Sequence, residues 1–455
     1  MGIKQPGKKS LKVGLLSLGC PKNVVDAERL LGRFLEGGYD LTVDPAKADL
    51  LVVNTCGFKA DAEAESREAI LEMAAIKAAH PGKRLVVTGC LAQRYGEQLR
   101  TEIPAIDVLA GTTGHDQLME WLRAPSSRMP EPDFVTASDQ APRILTTLPH
   151  TAYLKIAEGC SNPCTFCIIP KLRGPFRSRP LEEIVGEAQA LADGGVREIT
   201  LVSQDTTLYG RDLQPRLDLV VLLNRLEQIK KIRWIRVMYL YPTLITDALL
   251  DCFAASEKIL PYFDLPLQHA HDDVLRRMKR TERKEGLIAL VERIRSRMPE
   301  AFLRAVFIVG FPGETEAEYE CLYEFMARMR LDHVGIFTYS DELEAESYRL
   351  PDKVPADVAT QRRERLMELQ QRISREKLAK RVGKRLPVLV DGVEHDGAVV
   401  GRIMGQALEI DGVTYLHGSI PKPGSIVTVK ITNSTEYDLH GRVIKKSDIR
   451  SHRKQ

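Results

Sequence analysis

Residues 160–167 read CSNPCTFC, which places three thiols within eight residues. Thiolates are soft ligands that select zinc, copper(I) or iron–sulfur clusters. A closed structural zinc site needs four protein ligands, so a set of three indicates a site with one open position. A 4Fe–4S cluster held by three cysteines leaves one iron without a protein ligand. This stretch therefore predicts a metal centre that can bind a further small molecule.

A second set of three cysteines lies in the N-terminal part of the chain. Cys20, Cys56 and Cys90 each end a run rich in leucine and β-branched residues, with helix-like segments between the runs. Such runs, spaced about 35 residues apart, are typical of strands in an open parallel sheet. Ligands of these sheets bind beyond the carboxyl ends of the strands. We therefore expect the three thiols to converge on one site. The alternative is three buried structural cysteines.

The composition describes a globular protein of several domains. The chain has 455 residues, of which 44% are hydrophobic and 28% charged, and this length exceeds one ordinary core. The formal net charge of +3 argues neither for nor against nucleic acid. No apolar run is long enough to span a membrane, and the apolar stretch at 11–18 indicates a first strand rather than a signal peptide. We expect a cytoplasmic protein whose eight cysteines are reduced.

The pattern of apolar runs predicts an α/β protein. We expect an N-terminal parallel-sheet βαβ domain at 11–127, followed by a linker rich in proline, serine and threonine at 128–148. The part at 149–384 contains six apolar runs separated by helix-like stretches, which predicts a partial, TIM-like (βα)6 barrel. It ends in a charged connecting helix at 361–385. Five short β runs then predict a small antiparallel, OB-like β-barrel at 386–453.

The three-cysteine loop follows the first strand of the central part and is followed by Ile168-Ile169-Pro170. This arrangement resembles the radical S-adenosylmethionine (SAM) enzymes, in which the open iron of a 4Fe–4S cluster binds SAM. Cleavage of SAM there gives a radical that abstracts hydrogen. The resemblance implies that Cys160, Cys164 and Cys167 are the cluster ligands. A zinc site is the alternative, but it needs a fourth ligand, and the nearest histidine, His150, precedes the strand.

The same resemblance implies residues that contact SAM or the substrate. The segment 310–314 ends the fifth strand, where glycines let the backbone approach a ligand. Phe166 matches the aromatic position beside adenine, and Gln204 and Gln268 end the second and fourth strands. No catalytic residue is assigned beyond the cysteine ligands. The expected cofactor-binding residues are Phe166, Gln204, Gln268, Gly310, Pro312, Gly313 and Glu314.

The full arrangement, from about Lys12 to Val443, resembles the methylthiotransferases. In that family the N-terminal cysteines hold a second 4Fe–4S cluster, whose open iron carries sulfur for insertion into a C–H bond. The resemblance therefore implies two clusters per chain, with Cys20, Cys56 and Cys90 as the ligands of the second. SAM is the implied source of both the radical and the methyl group.

Four motifs resemble the RimO branch, which modifies the β-carbon of an aspartate in ribosomal protein S-twelve. They are SLGCPKN at 17–23, NTCGF at 54–58, SQDTTLYG at 203–210 and PLQHA at 266–270. The implied partners are this protein or the small ribosomal subunit, a reduced electron donor and a sulfur source, without a membrane. One alternative is a tRNA adenosine methylthiotransferase. Another is a non-enzymatic, metal-containing RNA-binding protein.

The C-terminal part resembles the TRAM module, which usually binds RNA and would need positive charge to do so. Residues 386–441 contain three basic and seven acidic residues, a net charge of −4. We expect such a barrel to disfavour tRNA and to complement a basic ribosomal protein. The basic tail from Arg442 onward is interpreted as solvated. The segment 339–345 lacks the glycine-bearing sequence expected after the sixth strand. Cys252, Cys321, His269 and His271 are interpreted as structural.

Overall fold

A computed structural model of the chain describes residues 10–113, 115–123, 141–394, 396–418 and 421–444. These residues form two compact units. The first contains the described residues up to Thr146 together with Lys155–Asn162 and Cys167–Glu183. The second contains Thr147–Leu154, Pro163–Phe166 and the described residues from Ile184 onward. The predicted linker lies outside the described residues as far as position 140, and so does the basic tail beyond 444.

The first unit is built on a five-stranded parallel sheet with the order β2-β1-β3-β4-β5. Its strands are β1 (Lys12–Ser17), β2 (Asp40–Leu41), β3 (Leu50–Thr55), β4 (Arg84–Gly89) and β5 (Val108–Leu109). Its helices are α1 (Pro21–Glu36), α2 (Ala60–Ala79), α3 (Cys90–Tyr95), α4 (Glu97–Glu102) and α5 (His115–Arg123). The three predicted strands that precede cysteines are β1, β3 and β4.

Helices cover both faces of this sheet. Every residue of β3 is buried, and successive side chains of a strand point to opposite faces. On one face Val53 packs in a cluster with Ile70 of α2, and on the other Val52 packs in a cluster with Phe34 of α1. Burial on both sides explains why these strands appear in the sequence as continuous apolar runs.

The second unit contains a six-stranded sheet whose strands are neighbours in chain order. These strands are β6 (Thr151–Lys155), β9 (Glu198–Val202), β10 (Trp234–Val237), β11 (Ile259–Gln268), β12 (Phe302–Val309) and β13 (His333–Thr338). The pairs from β9 to β13 are parallel. The order confirms the predicted partial barrel, since β6 and β13 are the open edges of the described sheet. Between β6 and β9 lie the short antiparallel pair β7 (Ala157–Glu158) and β8 (Arg177–Ser178).

The other α-helices of the described residues separate these strands or follow them. They are α6 (Ile169–Arg173), α7 (Leu181–Asp193), α8 (Leu219–Glu227), α9 (Asp247–Ala255), α10 (Asp272–Arg277), α11 (Lys284–Arg297), α12 (Glu316–Met329) and α13 (Ala356–Ala379). The predicted connecting helix is α13, and its apolar stripe is buried. It ends at Ala379 rather than at 385, because Gly383 adopts a left-handed φ of +85° and a strand begins two residues later. Among the described helices, none is both long and apolar enough to cross a bilayer.

A closed five-stranded barrel follows α13, with the order β14-β15-β16-β18-β17. Its strands are β14 (Arg385–Val393), β15 (Val399–Ile403), β16 (Thr414–His417), β17 (Ile426–Ser434) and β18 (Leu439–Val443). Four neighbouring pairs are antiparallel, whereas β16 and β18 run parallel. The prediction of a small barrel is confirmed. Its purely antiparallel form is wrong at one pair, because alternation of apolar residues carries no information on strand direction.

Candidate metal centres

The structure brings the three N-terminal cysteines together. Cys20 directly precedes α1, Cys56 follows β3, and Cys90 begins α3 after β4. Glycines allow these segments to meet. A Cβ atom on Gly19 would lie 2.8 Å from Cys56 Cβ and 3.1 Å from its Sγ, and one on Gly57 would lie 3.2 Å from the carbonyl carbon of Cys90. Gly19 also has a left-handed φ of +93°, which only glycine adopts without strain.

Burial and nearby cations act in opposite directions on these thiols. Burial raises the pKa of Cys90 to about 12 and raises the pKa of Cys56. Burial also opposes ionisation of Cys20, but Lys22 and Arg173 outweigh it and lower the pKa of that thiol. Metals bind the thiolate form. Positive charge at this place therefore favours the form of the side chains that a metal needs.

Arg173 is a site residue that the sequence analysis missed. Its positive charge lowers the pKa of Cys90 against the larger, opposite effect of burial. The guanidinium donates from Nη1 to both carboxylate oxygens of Glu158 (3.0 and 3.1 Å) and from Nη2 to Asp26 Oδ2 (3.0 Å). Lys155 pairs with the same two carboxylates. The arginine side chain is 1% exposed. No sequence signal links it to Cys90, because only the fold packs α6 against α3.

This environment fits a thiolate-bound iron–sulfur cluster. Three soft donors approach from three different strand ends, and a buried guanidinium lies beside them. Nearby charge and hydrogen bonds to sulfur are the contacts that tune such clusters. The role of the three cysteines as ligands remains a prediction.

The CSNPCTFC loop contributes Cys160 and Cys167 to the first unit. The backbone N–H of Cys160 donates to Gly174 O (3.1 Å). A Cβ atom on Gly159, whose φ is +72°, would lie 2.1 Å from Pro175 O, so glycine is needed directly before the first cysteine. The backbone N–H of Ile169 lies 3.5 Å from Cys167 Sγ and donates to it. A short, restrained backbone thus positions both residues.

The middle of the same loop, with Cys164 and Phe166, belongs to the second unit. Burial raises the pKa of Cys164, and Arg280, whose Nη1 lies 3.8 Å from the Sγ atom, opposes that rise. The guanidinium of Arg280 is also 3.9 Å from the ring centroid of Tyr241 and pairs with Glu282. Arg280 is a second site residue that the sequence analysis missed. Its charge opposes the effect of burial on the pKa of Cys164, as the charge of Arg173 does for Cys90.

Phe166 is half-buried against apolar side chains of the second unit. It packs on a cluster formed by Val274, Met278 and Phe311. The loop is held there because Thr165 donates through its backbone N–H to Met278 O (3.2 Å). The ring of Phe166 therefore packs against α10 and the segment after β12. Its place beside adenine remains a prediction.

The predicted SAM-binding turn at 310–314 is fixed by its own glutamate. Both carboxylate oxygens of Glu314 accept from the backbone N–H of Gly310, each at 3.1 Å, and Arg362 Nη1 donates to Oε1 (2.7 Å). Gly310 and Gly313 both have a left-handed φ of +74°. Because the Glu314 side chain is buried, it holds the turn from within. Contact of Gly310, Pro312, Gly313 and Glu314 with SAM remains a prediction.

The polar residues at the ends of β9 and β11 have different surroundings. Gln204 lies two residues beyond β9, and Gln268 ends β11 with a φ of +68°, which is uncommon for a non-glycine residue. His269 is buried, and its Nδ1 accepts the backbone N–H of His271 (3.0 Å). His271 Nδ1 in turn accepts the backbone N–H of Asp273 (3.3 Å) at the start of α10. These hydrogen bonds show how the two histidines contact the backbone before α10. The structural role of the histidines and the cofactor contacts of the glutamines remain predictions.

Three known families match successive parts of the chain. Residues 12–111 match uncharacterized protein family UPF0004, residues 154–326 match the radical SAM superfamily, and residues 382–444 match the TRAM domain. A protein named ribosomal protein uS12 methylthiotransferase RimO from Myxococcus xanthus is 46% identical over 439 residues, which cover 95% of this chain and 92% of that protein. The protein of the same name from Aquifex aeolicus is 45% identical over 435 residues, covering 95% of this chain and 97% of that protein. The chain belongs to the RimO family.

A solved structure extends this likeness at the level of the fold. The radical SAM methyltransferase TsrM from Kitasatospora setae superposes with a TM-score of 0.54 and 17% identity, covering 72% of this chain and 75% of that one. It shows that the fold of this family member is related to that of a radical SAM enzyme.

Proposed function

We propose that this chain is a radical SAM methylthiotransferase that adds a methylthio group to the β-carbon of an aspartate in ribosomal protein uS12. The observation that carries this proposal is the identity of about 45% with RimO proteins along 95% of the chain. The convergence of Cys20, Cys56 and Cys90 supports it independently, because a radical SAM enzyme that needs only one cluster would not need this second set of thiols.

We assign the cysteines to two 4Fe–4S clusters. Cys160, Cys164 and Cys167 would hold one cluster, and the N-terminal set Cys20, Cys56 and Cys90 would hold the other. When bound, the first cluster and SAM supply the radical that removes hydrogen from the substrate carbon, and the second supplies the sulfur. The protein must keep these thiols deprotonated inside a buried site, which is the task that we assign to Arg173 and Arg280.

The proposed substrate, compartment, electron donor and sulfur source are those implied by membership of the family. We propose that the protein acts in the cytoplasm on uS12, alone or within the small ribosomal subunit, and that it takes electrons from a reduced donor and sulfur from a separate source. Phe166, Gln204, Gln268 and the turn at 310–314 would contact SAM. A tRNA substrate is the alternative within the same chemistry.

The charge of the barrel supports this choice less than the sequence count suggested. The negative charge of Asp391 is neutralised by a buried ion pair with Arg402, whose nitrogen atoms lie 2.8 and 3.0 Å from the carboxylate oxygens. The side chain of Asp411 is 3% exposed and accepts from Tyr262 Oη (2.7 Å). Acidic surface remains at Glu394, Asp396 and Glu409. The choice of uS12 therefore rests on the family rather than on net charge.

The test separates the two clusters by substitution. Cys160→Ala in the anaerobically reconstituted protein should abolish both cleavage of SAM and methylthiolation of uS12. Cys90→Ala should leave cleavage of SAM to 5′-deoxyadenosine and stop methylthiolation, because the sulfur-carrying site is lost. Cys252→Ala, which removes a thiol of α9, is the matched control and should leave both reactions intact.

Two readouts are needed: chromatography of 5′-deoxyadenosine and mass spectrometry of peptides from uS12. Loss of SAM cleavage in Cys90→Ala with its retention in Cys160→Ala would contradict the assignment of the clusters. Modification of tRNA without modification of uS12 by the unaltered protein would contradict the proposed substrate.

A further inference from the structure

A lysine and a cysteine on two helices of the second unit are in direct contact. Lys284 is the first residue of α11, and Cys321 lies in the second turn of α12. Lys284 Nζ donates to Cys321 Sγ across 3.3 Å. Both residues are half-buried, so the pair is open to small solutes. An amine beside a thiol is a reactive combination, because an oxidised thiol condenses with nitrogen.

Hydrogen bonds of the backbone hold both residues in place. The backbone N–H of Lys284 donates to Asp272 Oδ1 (2.8 Å), and the buried apolar face of α11 begins at Leu287. A capping box fixes the first turn of α12. In it Thr315 Oγ1 accepts from the backbone N–H of Glu318 (3.3 Å), and Thr315 N donates to Glu318 Oε2 (2.8 Å). The distance between amine and sulfur therefore depends on side-chain rotation and not on the position of a loop.

No carboxylate competes with the thiol for this amine. Three acidic residues precede Cys321 in α12, and each of them pairs with an arginine: Glu316 with Arg362, Glu318 with Arg277, and Glu320 with Arg365. Within the described part of the chain, Lys284 Nζ forms no ion pair with an acidic residue. Balance of charge on this acidic helix therefore does not explain why the lysine contacts sulfur.

Cys252 provides a contrast in the same unit. Cys252 and Cys321 are both partly exposed. The Sγ atom of Cys252 lies 3.7 Å from Asn224 Oδ1, and a carboxamide oxygen does not condense with oxidised sulfur. The two cysteines thus combine similar exposure with different neighbours, an amide in one case and an amine in the other.

We propose that Lys284 and Cys321 form a sulfur–nitrogen cross-link when the protein meets hydrogen peroxide. Peroxide first oxidises the thiol to a sulfenic acid: the O–O bond breaks, an S–O bond forms and water leaves. The lysine nitrogen then attacks the sulfur, for which 3.3 Å is already an attack distance.

Atoms and electrons balance in the second step. The S–N bond forms as the S–O bond breaks, the hydroxyl group leaves as water with one hydrogen of the ammonium group, and a further proton passes to solvent. The sulfur has lost two electrons, and the peroxide has been reduced to water. A thiol reductant reverses the cross-link by attack at sulfur.

The cross-link would join two segments that border the predicted SAM site. Lys284 follows by four residues Arg280, whose guanidinium lies beside Cys164, and α12 begins at Glu316, just after the turn at 310–314. A covalent bond between α11 and α12 would restrict the movement of both segments. The cross-link itself does not depend on methylthiotransferase activity.

The test is peptide mapping of the full-length, anaerobically reconstituted protein after brief exposure to hydrogen peroxide. Free thiols are then blocked with iodoacetamide, and the protein is digested with trypsin without a reductant. We expect the peptides 284–293 and 305–328 to appear as one linked species. Its mass should be lower than their sum by two hydrogen atoms, and cleavage after Lys284 should be lost. Dithiothreitol added before the blocking step should remove this species and restore alkylation of Cys321.

Lys284→Arg is the matched variant, because it keeps the positive charge but replaces the amine by a guanidinium that stays protonated. It should abolish the linked species and leave Cys321 to proceed to the sulfinic acid. Cys252 is the internal control in the same digest and should form no bond to nitrogen.

Two results would overturn the proposal. One is a Cys321 that ends as alkylated thiol, sulfinic acid or disulfide in the unaltered protein without the linked species. The other is an equal yield of sulfur–nitrogen links at Cys321 and Cys252, which would show that the contact with Lys284 is not needed. Neither readout requires cleavage of SAM or modification of uS12, so this proposal and the proposed function can fail separately.

Discussion

At the scale of single residues, the sequence predicted the site residues whose type and spacing are characteristic, such as the cysteines. It did not predict residues that reach a site only through three-dimensional contact. Cysteine spacing in 160–167 and the position of cysteines after apolar runs both carry their signal in the sequence. Arg173 carries none, because an arginine in a short helix is an ordinary surface residue until the fold buries it. Only the structure places its charge close enough to Cys90 to favour the thiolate, and fixes the guanidinium with Glu158 and Asp26.

Removing that guanidinium should weaken the N-terminal metal site specifically. In a background in which Cys160, Cys164 and Cys167 are alanine, we expect Arg173→Met to lower the affinity of the remaining site for iron or for Co(II) about tenfold, as loss of an outer contact of a metal site does. Iron content after gel filtration and the Co(II)–thiolate absorption band measure the change.

Lys155→Met is the control for that substitution. This variant removes a buried cation that pairs with the same two carboxylates, Asp26 and Glu158. Unlike Arg173→Met, it leaves in place the cation that acts on the thiols. Both variants should lower the midpoint of thermal unfolding, because each leaves a buried carboxylate less well paired. Equal loss of metal in both would contradict a specific role for Arg173.

At the scale of elements, the strands were predictable because burial on both faces leaves long apolar runs, whereas helix ends were not. The predicted helix at 361–385 runs past the observed end of α13 at Ala379. Residues 380–385 are mostly good helix formers, but the left-handed Gly383 and the pairing of Arg385 with Lys430 take this segment into a turn and a strand. Tertiary contact therefore overrode local preference.

A substitution at Gly19, directly before Cys20, tests whether the N-terminal metal site needs the close approach between Gly19 and Cys56. Gly19→Ala adds a Cβ atom that would lie 2.8 Å from Cys56 Cβ at a left-handed φ of +93°, so it should disrupt the converging thiols and reduce iron loading. Gly38→Ala is the control, because Gly38 has a similar φ of +85° and open space around the added atom. It should cost only about 1 kcal/mol of backbone strain.

Iron content and thermal unfolding of the two glycine variants distinguish strain from collision. We expect Gly19→Ala to lower thermal stability more than Gly38→Ala does, because only Gly19→Ala adds a collision to the backbone strain. We also expect a loss of iron at the N-terminal site in Gly19→Ala alone. Full iron loading in Gly19→Ala would show that the cysteines do not need the close approach seen between Gly19 and Cys56.

At the scale of the whole molecule, a buried network of charges joins the small barrel to the six-stranded sheet of the second unit. Arg402 pairs with Asp391 (2.8 Å) and with Glu198 of β9 (2.7 Å), and Glu198 also binds Arg236 of β10 (3.1 Å). His150 Nε2 donates to Asp391 Oδ1 (3.0 Å). The residues come from five separate places in the chain. A sequence can show that each is charged but not that they meet.

This network makes part of the stability depend on pH. Burial alone would raise the pKa of Asp391, but the hydrogen bond from His150 and the charge of Arg402 outweigh it, so the pKa is lower than in the unfolded chain. The stabilisation is therefore present above the unfolded value of about pH 4 and is lost as the pH falls further.

Asp391→Asn should lower the free energy of unfolding by about 3 kcal/mol at neutral pH, with a smaller difference from the unaltered protein below about pH 4. Glu394→Gln, an exposed acid of the same strand region, should change it by less than about 0.5 kcal/mol. Thermal unfolding at several pH values measures both. A penalty for Asp391→Asn that did not shrink in acid would contradict the charged state of this carboxyl group.

The central claim is that this chain transfers a methylthio group to uS12, and the mass of uS12 tests it most directly. Ribosomes from a strain that lacks the gene, and from the same strain carrying it again, are analysed by intact-protein mass spectrometry, with tRNA nucleosides measured in parallel. We predict that uS12 loses the mass of one methylthio group in place of a hydrogen, regains it on complementation, and that tRNA is unchanged. An unchanged uS12 mass together with the loss of a methylthio nucleoside from tRNA would contradict the account.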